Sequence, residues 1–255
     1  GVRGFMLIHQ LARTNVPQNQ VAVFWLGQAG FLFKKSDGTL IAVDPYLSDC
    51  CERYFGFKRL MPHLIAADEL QPDLLVITHA HYDHFDPDAV PQLLADGGTL
   101  LAAADCCAEC ERLGIPTQEK VRFLRVGDVA RVQGSQITAM PCDHGEATPD
   151  ALGLLLEIDG KRIYIAGDTC LRRDYFASPA LQNLDLAILP INGAFGNMNE
   201  TEAAEAASLI RPALTLPCHF WNFAEHGGNP GVFAEEMQKR GLPYRLLSMG
   251  GHMLL

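Results

Sequence analysis

The amino-acid sequence predicts an α/β fold in which two β-sheets face each other and helices cover their outer sides. Short apolar runs separated by turn signals dominate the start of each half of the chain, and helical and strand-like segments alternate after them. Two such halves can bury their apolar faces against each other. No linker, low-complexity segment or short repeat interrupts the 255 residues, so we expect a single domain over residues 1–255.

The first half of the sequence begins with a meander of strands. The runs VAVFWL and FLFKK are followed by a turn at Ser36, Asp37 and Gly38 and then by TLIAVD. A polar and aromatic stretch from 45 to 62 separates this meander from LLVI, which has the composition of a buried strand. The pattern after it predicts a helix in DPDAVPQLLADG, a strand in TLLAAA and a helix in DCCAECERLG.

A second strand-rich block follows, and Asp159-Gly160 within it is the strongest hairpin signal in the chain. The predicted strands of this block are VRFLRV, VARVQ, QITAMP and the two arms of GLLLEIDGKRIYIAGD. The last part alternates between strands in LDLAILP, LTLP and YRLLS and helices in TEAAEAASLI and GVFAEEMQKRG. Both halves therefore have the same order, a meander followed by alternating helices and strands.

Composition and charge narrow the class of partner. The net charge of −10 argues against nucleic acid, because proteins that bind a phosphate backbone concentrate Lys and Arg. No apolar run approaches the length of a membrane span, and the N-terminal GVRGFMLIHQ lacks the apolar core of a signal peptide. We therefore expect a cytoplasmic protein that acts on a small molecule and does not bind a membrane. Assembly into a homo-oligomer stays open.

The stretch THAHYDHFDP, residues 78–87, places three histidines and an aspartate within six residues directly after the apolar run LLVI. A polar loop that caps the strand explains Asp86 and Pro87, which have the types expected at the cap and first position of a helix. Such a loop has no need of three imidazoles, whereas a metal site does.

The spacing of these side chains favours two metal ions. In an extended loop, His79, His81 and Asp83 would point to one side, and His84 would turn toward a second nearby point. A catalytic zinc typically uses three protein ligands and a water, so four ligands are too many for one open site. Two metals about 3.5–4 Å apart would use all four.

Further candidate ligands stand at the ends of other predicted strands. His144 follows QITAMP, Asp168 follows RIYIAG and His219 follows LTLP. Each one alone is typical of a loop or core residue satisfied by hydrogen bonds, but together they complete a two-metal set. All of these donors are nitrogen or oxygen atoms, which suits Zn, Mn or Fe.

Eight cysteines leave disulfides and thiolate ligands as alternatives. We expect the thiols to be mostly reduced, since nothing in the sequence indicates an oxidising compartment. The cluster CCAEC at 106–110 would need a fourth ligand to hold a structural zinc. Cys142, Cys170 and Cys218 lie within two residues of candidate ligands, and we interpret them as small buried neighbours rather than as ligands.

These motifs resemble the metallo-β-lactamase superfamily, whose signature THxHxDH stands here as THAHYDH. The similarity extends over most of the chain and includes VDPYLSD, the histidine of DHGE, the aspartate of GDT and the histidine of PCHF. The segments WLGQAGF and GNMNETEAAEA look more like one branch, the ascorbate-6-phosphate lactonase-like hydrolases. The resemblance implies an αββα sandwich, which agrees with the two-sheet prediction.

The resemblance also implies two divalent metal ions, Zn or Mn with Fe as an alternative, each held by three residues of its own. The residues of the first set are His79, His81 and His144. The residues of the second set are Asp83, His84 and His219. Asp168 would bridge the two ions, and Asp44 in VDP would orient a ligand imidazole.

Such a pair of metals would lower the pKa of a bound water from 15.7 toward about 7 and supply hydroxide at neutral pH. The expected reaction is hydrolysis of a small ester-like compound, in first place a lactone, including a sugar-phosphate lactone. We assign catalytic roles to Asp83, which would pass a proton to the leaving group, and to His219. The chain is more compact than the best-known lactonases of this branch and has His144 in DHGE, so its substrate can differ.

Loops at the ends of the same strands should contact the substrate. The candidates are Asn192, Trp221, Asn222 and His226, together with aromatic residues of PYLSDCCERYFGF. For Trp221 and the other aromatic residues, hydrophobic packing is the alternative. A phosphorylated substrate would need a cation near the metals, and the best-placed candidates are Arg172 and Arg173. Paired arginines are also common on solvated helix faces.

Three other functions compete with a lactonase. A phosphodiesterase could use the same pair of metals on a small phosphate ester. A redox diiron protein usually has a glutamate where this chain has His81, and a flavin partner domain is missing from the sequence. A non-catalytic metal-binding or ligand-binding sensor is the alternative from another class, although the complete set of ligands argues against it.

Overall fold

The computed structural model describes residues 2–255, with side chains from Leu7 onward. Its strands, in chain order, are β1 (Val21–Gly27), β2 (Gly30–Lys35), β3 (Leu40–Val43), β4 (Leu74–Ile77), β5 (Thr99–Ala103), β6 (Val121–Leu124), β7 (Val129–Val132), β8 (Ser135–Met140), β9 (Gly153–Ile158), β10 (Lys161–Ile165), β11 (Leu186–Pro190), β12 (Thr215–Cys218) and β13 (His252–Leu254). Its α-helices are α1 (Val2–Arg13), α2 (Cys50–Phe55), α3 (Val90–Leu93), α4 (Cys106–Arg112), α5 (Arg173–Phe176), α6 (Glu200–Ile210) and α7 (Pro230–Lys239).

These strands form two sheets, as the sequence predicts. The first sheet has the order β13-β1-β2-β3-β4-β5-β6, and the second has the order β12-β11-β10-β9-β8-β7. In each sheet an antiparallel meander is followed by parallel strands, β4 to β6 in the first and β11 and β12 in the second. One buried apolar cluster contains residues from both sheets, such as Leu75 and Leu156. The predicted αββα sandwich is therefore confirmed.

Turn chemistry fixes the register of the meanders. Asp159 and Gly160 both have positive φ, 48° and 80°, and they join β9 to β10 directly, with Ile158 paired to Lys161. This geometry matches the two-residue hairpin that Asp-Gly predicts. Gly38, with φ +90°, closes the turn between β2 and β3, where the Thr39 amide donates to Asp37.

Two local predictions of secondary structure were wrong or incomplete, and three helices were missed. The predicted strand YRLLS is limited to a single bridge between Tyr244 and Thr215, and β13 is the last strand. The helix predicted in DPDAVPQLLADG is limited to α3. Helices α1, α2 and α5 were not predicted. Leu7 and Leu11 of α1 are buried at helical spacing. The apolar run in GVRGFMLIHQ is too short for this spacing to indicate a helix clearly.

The strand order brings the ends of several strands to one edge of the sandwich. Strands β8, β10 and β12 run in the same direction, because β9 is antiparallel to β8 and β10, and β10, β11 and β12 are parallel. Their carboxyl ends therefore meet at one edge of the second sheet, and the residues after β4 approach this edge from the first sheet: the amide of Leu152 donates to the carbonyl of Thr78. No helix of the described residues is long and apolar enough to cross a membrane.

Candidate metal centre

The THAHYDH loop turns sharply after β4. The amides of His84 and Phe85 both donate to the carbonyl of His81, at 2.9 and 2.7 Å. This turn contradicts the extended loop expected from the sequence, in which His79, His81 and Asp83 would share one side. Instead, His79 and His81 join one group of donors while Asp83 and His84 join another.

The first group consists of three imidazoles. Nε2 of His79 lies 3.1 Å from Nδ1 of His81, and Nε2 of His144 lies 3.3 Å from the same atom. Two nitrogens at corners of a tetrahedron lie about 3.3 Å apart when each Zn–N distance is about 2.0–2.1 Å. The spacing of these three nitrogens therefore fits a single small cation.

The second group combines two carboxylates with two imidazoles and is fully buried. Oδ2 of Asp83 lies 3.3 Å from Nε2 of His84 and 3.4 Å from Nε2 of His219. Oδ2 of Asp168 lies 3.1 and 3.2 Å from the same two nitrogens. Four donor atoms thus converge on a second point.

Asp168 lies between the two groups. Its Oδ2, which is close to His84 and His219, is also 3.7 Å from Nε2 of both His79 and His144. Its Oδ1 is buried and has no hydrogen-bond partner among the described residues. A buried carboxylate oxygen left without a donor is costly, and a cation is the natural partner for it. The donor chemistry and this unpaired oxygen both fit divalent metal ions.

Asp44 orients the imidazoles of His84 and His79 through their Nδ1 atoms. Its Oδ2 lies 2.7 Å from Nδ1 of His84 and accepts the hydroxyl proton of Thr78 at 2.6 Å. The Thr78 hydroxyl oxygen is in turn 3.0 Å from Nδ1 of His79. With that hydroxyl proton committed to Asp44, Nδ1 of His79 must be the donor. Both histidines therefore carry their proton on Nδ1 and present Nε2 to the centre, the arrangement that a metal requires.

The charges within the centre stabilise one another. Burial acts against ionisation of Asp83 and Asp168, yet the neighbouring His84 and His219 hold the pKa of both carboxyl groups well below the ordinary value. Burial likewise acts to lower the pKa of His219, but Asp168 and Asp83 raise it to about 9. Burial dominates at His79, whose pKa is lowered well below its ordinary value. Both carboxylates are thus available as anionic donors.

A pocket of about 260 Å³ opens directly onto these donors. Its floor contains His81, Asp83, His144, Asp168 and His219. Aromatic side chains form much of its wall, and these are Phe55, Phe57, Tyr82 and Phe195. The centre is therefore accessible to a small molecule through this pocket.

The pocket wall depends on segment 45–62, the polar and aromatic stretch for which the sequence pattern predicts no helix or strand. The buried carboxylate of Asp86 accepts hydrogen bonds from the amides of Leu47 and Ser48, at 3.0 and 2.9 Å, and from the Ser48 hydroxyl at 2.8 Å. The Arg59 guanidinium lies over the ring of Tyr46 and donates to the carbonyls of Tyr46 and Ser48. These contacts hold the residues before and after α2 against the THAHYDH loop.

Of the residues expected to contact substrate, His226 and the aromatic residues Phe55 and Phe57 line the pocket. Asn192 is buried, and its side-chain amide bonds to Ala194 and Asn197. Asn222 is also buried, whereas Trp221 is exposed; neither lines the pocket. The Asn192 loop instead contributes Phe195 and Asn197 to the lining.

Neither predicted phosphate-binding arginine faces the pocket. Arg172 donates to Asp143 and Asp174 and lies over the ring of Tyr175. Arg173 pairs with Glu205. Both guanidinium groups are thus directed to neighbouring carboxylates rather than to the centre, and the expectation of a cation beside the metals is corrected.

Gln28 is a site residue that no motif of the sequence predicts. Its side-chain Nε2 donates to Oδ2 of Asp83 at 2.9 Å and lies 3.2 Å from Nδ1 of His226. It sits in the two-residue turn between β1 and β2 with a positive φ of 49°. The feature of the sequence that could have indicated this role is a large polar residue between two runs typical of buried strands.

The cysteines take no part in the donor groups. All eight are free thiols, and no cysteine belongs to a group of described residues that could hold a metal. Cys142 lies beside the centre, and its thiol donates to the backbone carbonyl of Asp168 at 3.0 Å. In the CCAEC cluster, Cys106 and Cys110 are buried in the core, whereas Cys107 is partly exposed.

The sequence of this chain is similar to those of known proteins. Residues 22–219 match the model of the beta-lactamase superfamily domain. A UPF0173 metal-dependent hydrolase from Methanopyrus kandleri is 31% identical over 229 residues, covering 86% of this chain and 93% of the relative. A second, from Thermus thermophilus, is 31% identical over 237 residues, covering 90% of this chain and 97% of the relative.

Solved structures show the same fold at lower identity. A metallo hydrolase from the hyperthermophilic archaeon Ignicoccus hospitalis has a TM-score of 0.72 at 24% identity, covering 92% of this chain and 98% of that one. The isothiocyanate hydrolase from Delia radicum gut bacteria has a TM-score of 0.75 at 19% identity, covering 91% of this chain and 98% of that one. These likenesses concern the fold alone.

Proposed function

We propose that this chain, which belongs to the metallo-β-lactamase superfamily and to its UPF0173 metal-dependent hydrolases, is a metal-dependent hydrolase that cleaves a lactone or a similar ester-like bond in a small molecule. One observation carries the proposal: two groups of nitrogen and oxygen donors share Asp168 and face a pocket of small-molecule size. An open metal centre beside a pocket is what metal-assisted hydrolysis requires.

The proposed ligand set follows the two groups. His79, His81 and His144 would hold one divalent ion. Asp83, His84 and His219 would hold the other, with Asp168 shared between them. Zn, Mn or Fe suits these donors. When bound, such ions polarise a carbonyl oxygen and lower the pKa of water toward neutrality.

Hydrolysis of a lactone adds water to the carbonyl carbon, breaks the ring C–O bond and yields a hydroxy acid. The proton lost by the water must reach the departing alkoxide oxygen. Asp83 lines the pocket, and its Oδ2 already accepts a hydrogen bond from Gln28. We propose that this carboxylate carries the proton to the leaving oxygen. His219, whose Nε2 lies 3.4 Å from Oδ2 of Asp83, would hold the same ion as Asp83 and so position it.

His226 would hold the substrate carbonyl. Gln28 donates to Asp83, so the Gln28 group beside His226 Nδ1 is also the NH₂ group, and Nδ1 must accept. The imidazole proton then resides on Nε2. Burial and the nearby His219 lower the pKa of His226 to about 4, which keeps the ring neutral at pH 7. A neutral ring in the pocket lining with an Nε2 donor suits a carbonyl oxygen that gains negative charge.

The same pair of metals could serve a phosphodiesterase, and this is the second candidate. The pocket lining argues against it, because it contains no lysine or arginine to meet a phosphate. A non-catalytic sensor would not need an open pocket floor that carries the complete donor set.

Steady-state assays separate these functions. The metal-loaded protein is given a γ-butyrolactone and bis(p-nitrophenyl) phosphate in parallel, before and after chelation and readdition of Zn or Mn. We expect lactone hydrolysis that chelation abolishes and metal restores, with the phosphodiester cleaved far more slowly. Cleavage of the phosphodiester alone would favour the second candidate, and turnover of neither would contradict both.

A further inference from the structure

The wall of the pocket is built from aromatic rings that come from separate parts of the chain. Phe55 is the last residue of α2 and Phe57 lies two residues beyond it, Tyr82 lies in the THAHYDH loop, and Phe195 lies between β11 and α6. The ring centroids of Phe57 and Phe195 are 5.8 Å apart, and those of Phe55 and Tyr82 are 6.1 Å apart. These are distances of paired rings. Phe55 and Phe57, whose centroids are 5.9 Å apart, connect the two pairs, so the rings form one continuous aromatic wall.

This aromatic wall reaches the residue proposed to hold the carbonyl. The imidazole of His226 lies edge-on to Phe57 at 5.1 Å and close to Phe195 at 4.9 Å. A substrate whose carbonyl bonds to His226 must therefore place the neighbouring part of the molecule against these two rings. The group beside the bond that is cleaved is thus the part of the substrate that the wall contacts.

Three arginines near the wall are directed away from the pocket space. Arg53 forms a bidentate pair with Asp88, and Arg112 pairs with Glu109 and donates to the hydroxyl of Tyr82. Arg59 is buried beneath the wall, where it donates to backbone carbonyls. None of these lines the pocket. An anionic substituent held against the rings would lose its hydration there, and the lining has no lysine or arginine to replace it.

The outer part of the wall is exposed. The side chains of Phe55 and Phe195 are 55% and 59% accessible, although large aromatic side chains are normally buried when packing permits. Exposed aromatic rings at the mouth of an apolar pocket provide a contact surface for a ligand.

We propose that the pocket selects substrates in which the group next to the scissile carbonyl bond is uncharged, apolar and planar, such as an aromatic ring. This inference rests on the proposed hydrolase function and defines its substrate class. It excludes the sugar-phosphate lactones that the sequence resemblance suggested. Phe57 and Phe195 are the residues that determine this specificity.

The test compares two lactones that share the scissile bond. γ-Phenyl-γ-butyrolactone carries an apolar ring, and γ-carboxy-γ-butyrolactone carries an anion at the same carbon. For the metal-loaded protein we expect kcat/KM to favour the phenyl compound by about tenfold or more, the range in which apolar pockets discriminate. Equal values, or a preference for the carboxylate, would overturn the inference.

Two variants and one control locate the selectivity. Phe57→Leu keeps an apolar side chain but removes the ring, and should lower kcat/KM for the phenyl compound by about fivefold. Phe195→Arg adds a cation at the exposed rim, and should reduce the phenyl-to-carboxylate ratio by about fivefold. Val126→Ala changes an equally exposed apolar side chain that does not line the pocket, and should leave the ratio unchanged. A ratio that neither pocket variant alters would also overturn the inference.

Calorimetric binding separates failure of the inference from failure of the proposed function. If neither lactone is hydrolysed, the proposed function fails, but both compounds can still be titrated into the metal-loaded protein. Tighter binding of the phenyl compound, weakened by Phe57→Leu, would support the aromatic wall as the selecting element. Absence of binding, or equal binding of both compounds, would reject it.

Discussion

Oδ2 of Asp44 lies 2.7 Å from Nδ1 of His84, on the side of the imidazole that faces away from the pocket. The same oxygen accepts the Thr78 hydroxyl, which contacts His79. One buried carboxylate thus fixes the orientation of an imidazole in each donor group. If the groups hold metals, Asp44 should influence both of them without touching either.

Replacement of Asp44 by Asn should weaken metal binding by about 10–100-fold, the usual effect of removing such a partner of a ligand histidine. The measurement is a competition titration with a chromophoric chelator. Thr78→Val is the matched control, because it breaks the contact to His79 but leaves the pair of Asp44 and His84; it should weaken one of two binding steps. Wild-type affinity in Asp44→Asn would contradict the role of Asp44.

Asp83→Asn should lower kcat by about 100-fold or more, because an amide cannot carry a proton to the leaving oxygen. Metal content is measured on the same sample, since Asp83 is also a proposed ligand. A fall in kcat at unchanged metal content would support proton transfer by Asp83. Unchanged turnover in the fully loaded variant would refute it.

His226→Phe should lower kcat by about 100-fold, the typical cost of losing one donor to a developing oxyanion. Phenylalanine preserves the ring contacts with Phe57 and Phe195, so the fold and metal content should not change. Gln28→Leu should also lower kcat, because it frees the His226 tautomer.

A double-mutant cycle tells whether Gln28 positions His226 or acts independently. If Gln28 works through His226, the double variant should lose little more than His226→Phe alone. Any further loss that Gln28→Leu causes through its bond to Asp83 would be the same in both backgrounds. Full additivity of the two losses would contradict a positioning role.

Asp86→Ala should lower the free energy of unfolding by at least about 2 kcal/mol, since it leaves the buried amide of Leu47 and the groups of Ser48 without an acceptor. Asp86→Asn retains one acceptor oxygen and should cost about half as much. Urea unfolding of both variants gives the comparison. Equal stability of wild type and Asp86→Ala would show that the Asp86 bonds do not hold the pocket wall.

The strands and the donor residues could be predicted because their signals are local. Apolar runs with turn residues define β1 to β3 and β8 to β10, and the THAHYDH motif itself contains four of the donor residues. The path of the THAHYDH loop could not be predicted in the same way. Its turn depends on the hydrogen bonds to the carbonyl of His81 and on the packing of Phe85 in the core.

The pocket wall was less predictable than its floor. Segment 45–62 lacks a periodic pattern, and its shape depends on Asp86 and Arg59. Asp86 is distant from α2 in sequence, and Arg59 lies in the irregular loop that follows α2. The roles of Arg172 and Gln28 were also set by tertiary contacts. The guanidinium of Arg172 pairs with neighbouring carboxylates instead of facing the pocket. The β1–β2 turn places Gln28 within hydrogen-bond distance of Asp83.

The most direct test of the central claim is the metal content of the purified protein, measured by inductively coupled plasma mass spectrometry and paired with lactone turnover. We predict about two divalent ions per chain after dialysis, loss of turnover on chelation, and its recovery when Zn or Mn is added back. One ion or none per chain, with no lactone turnover under any metal condition, would contradict a two-metal hydrolase.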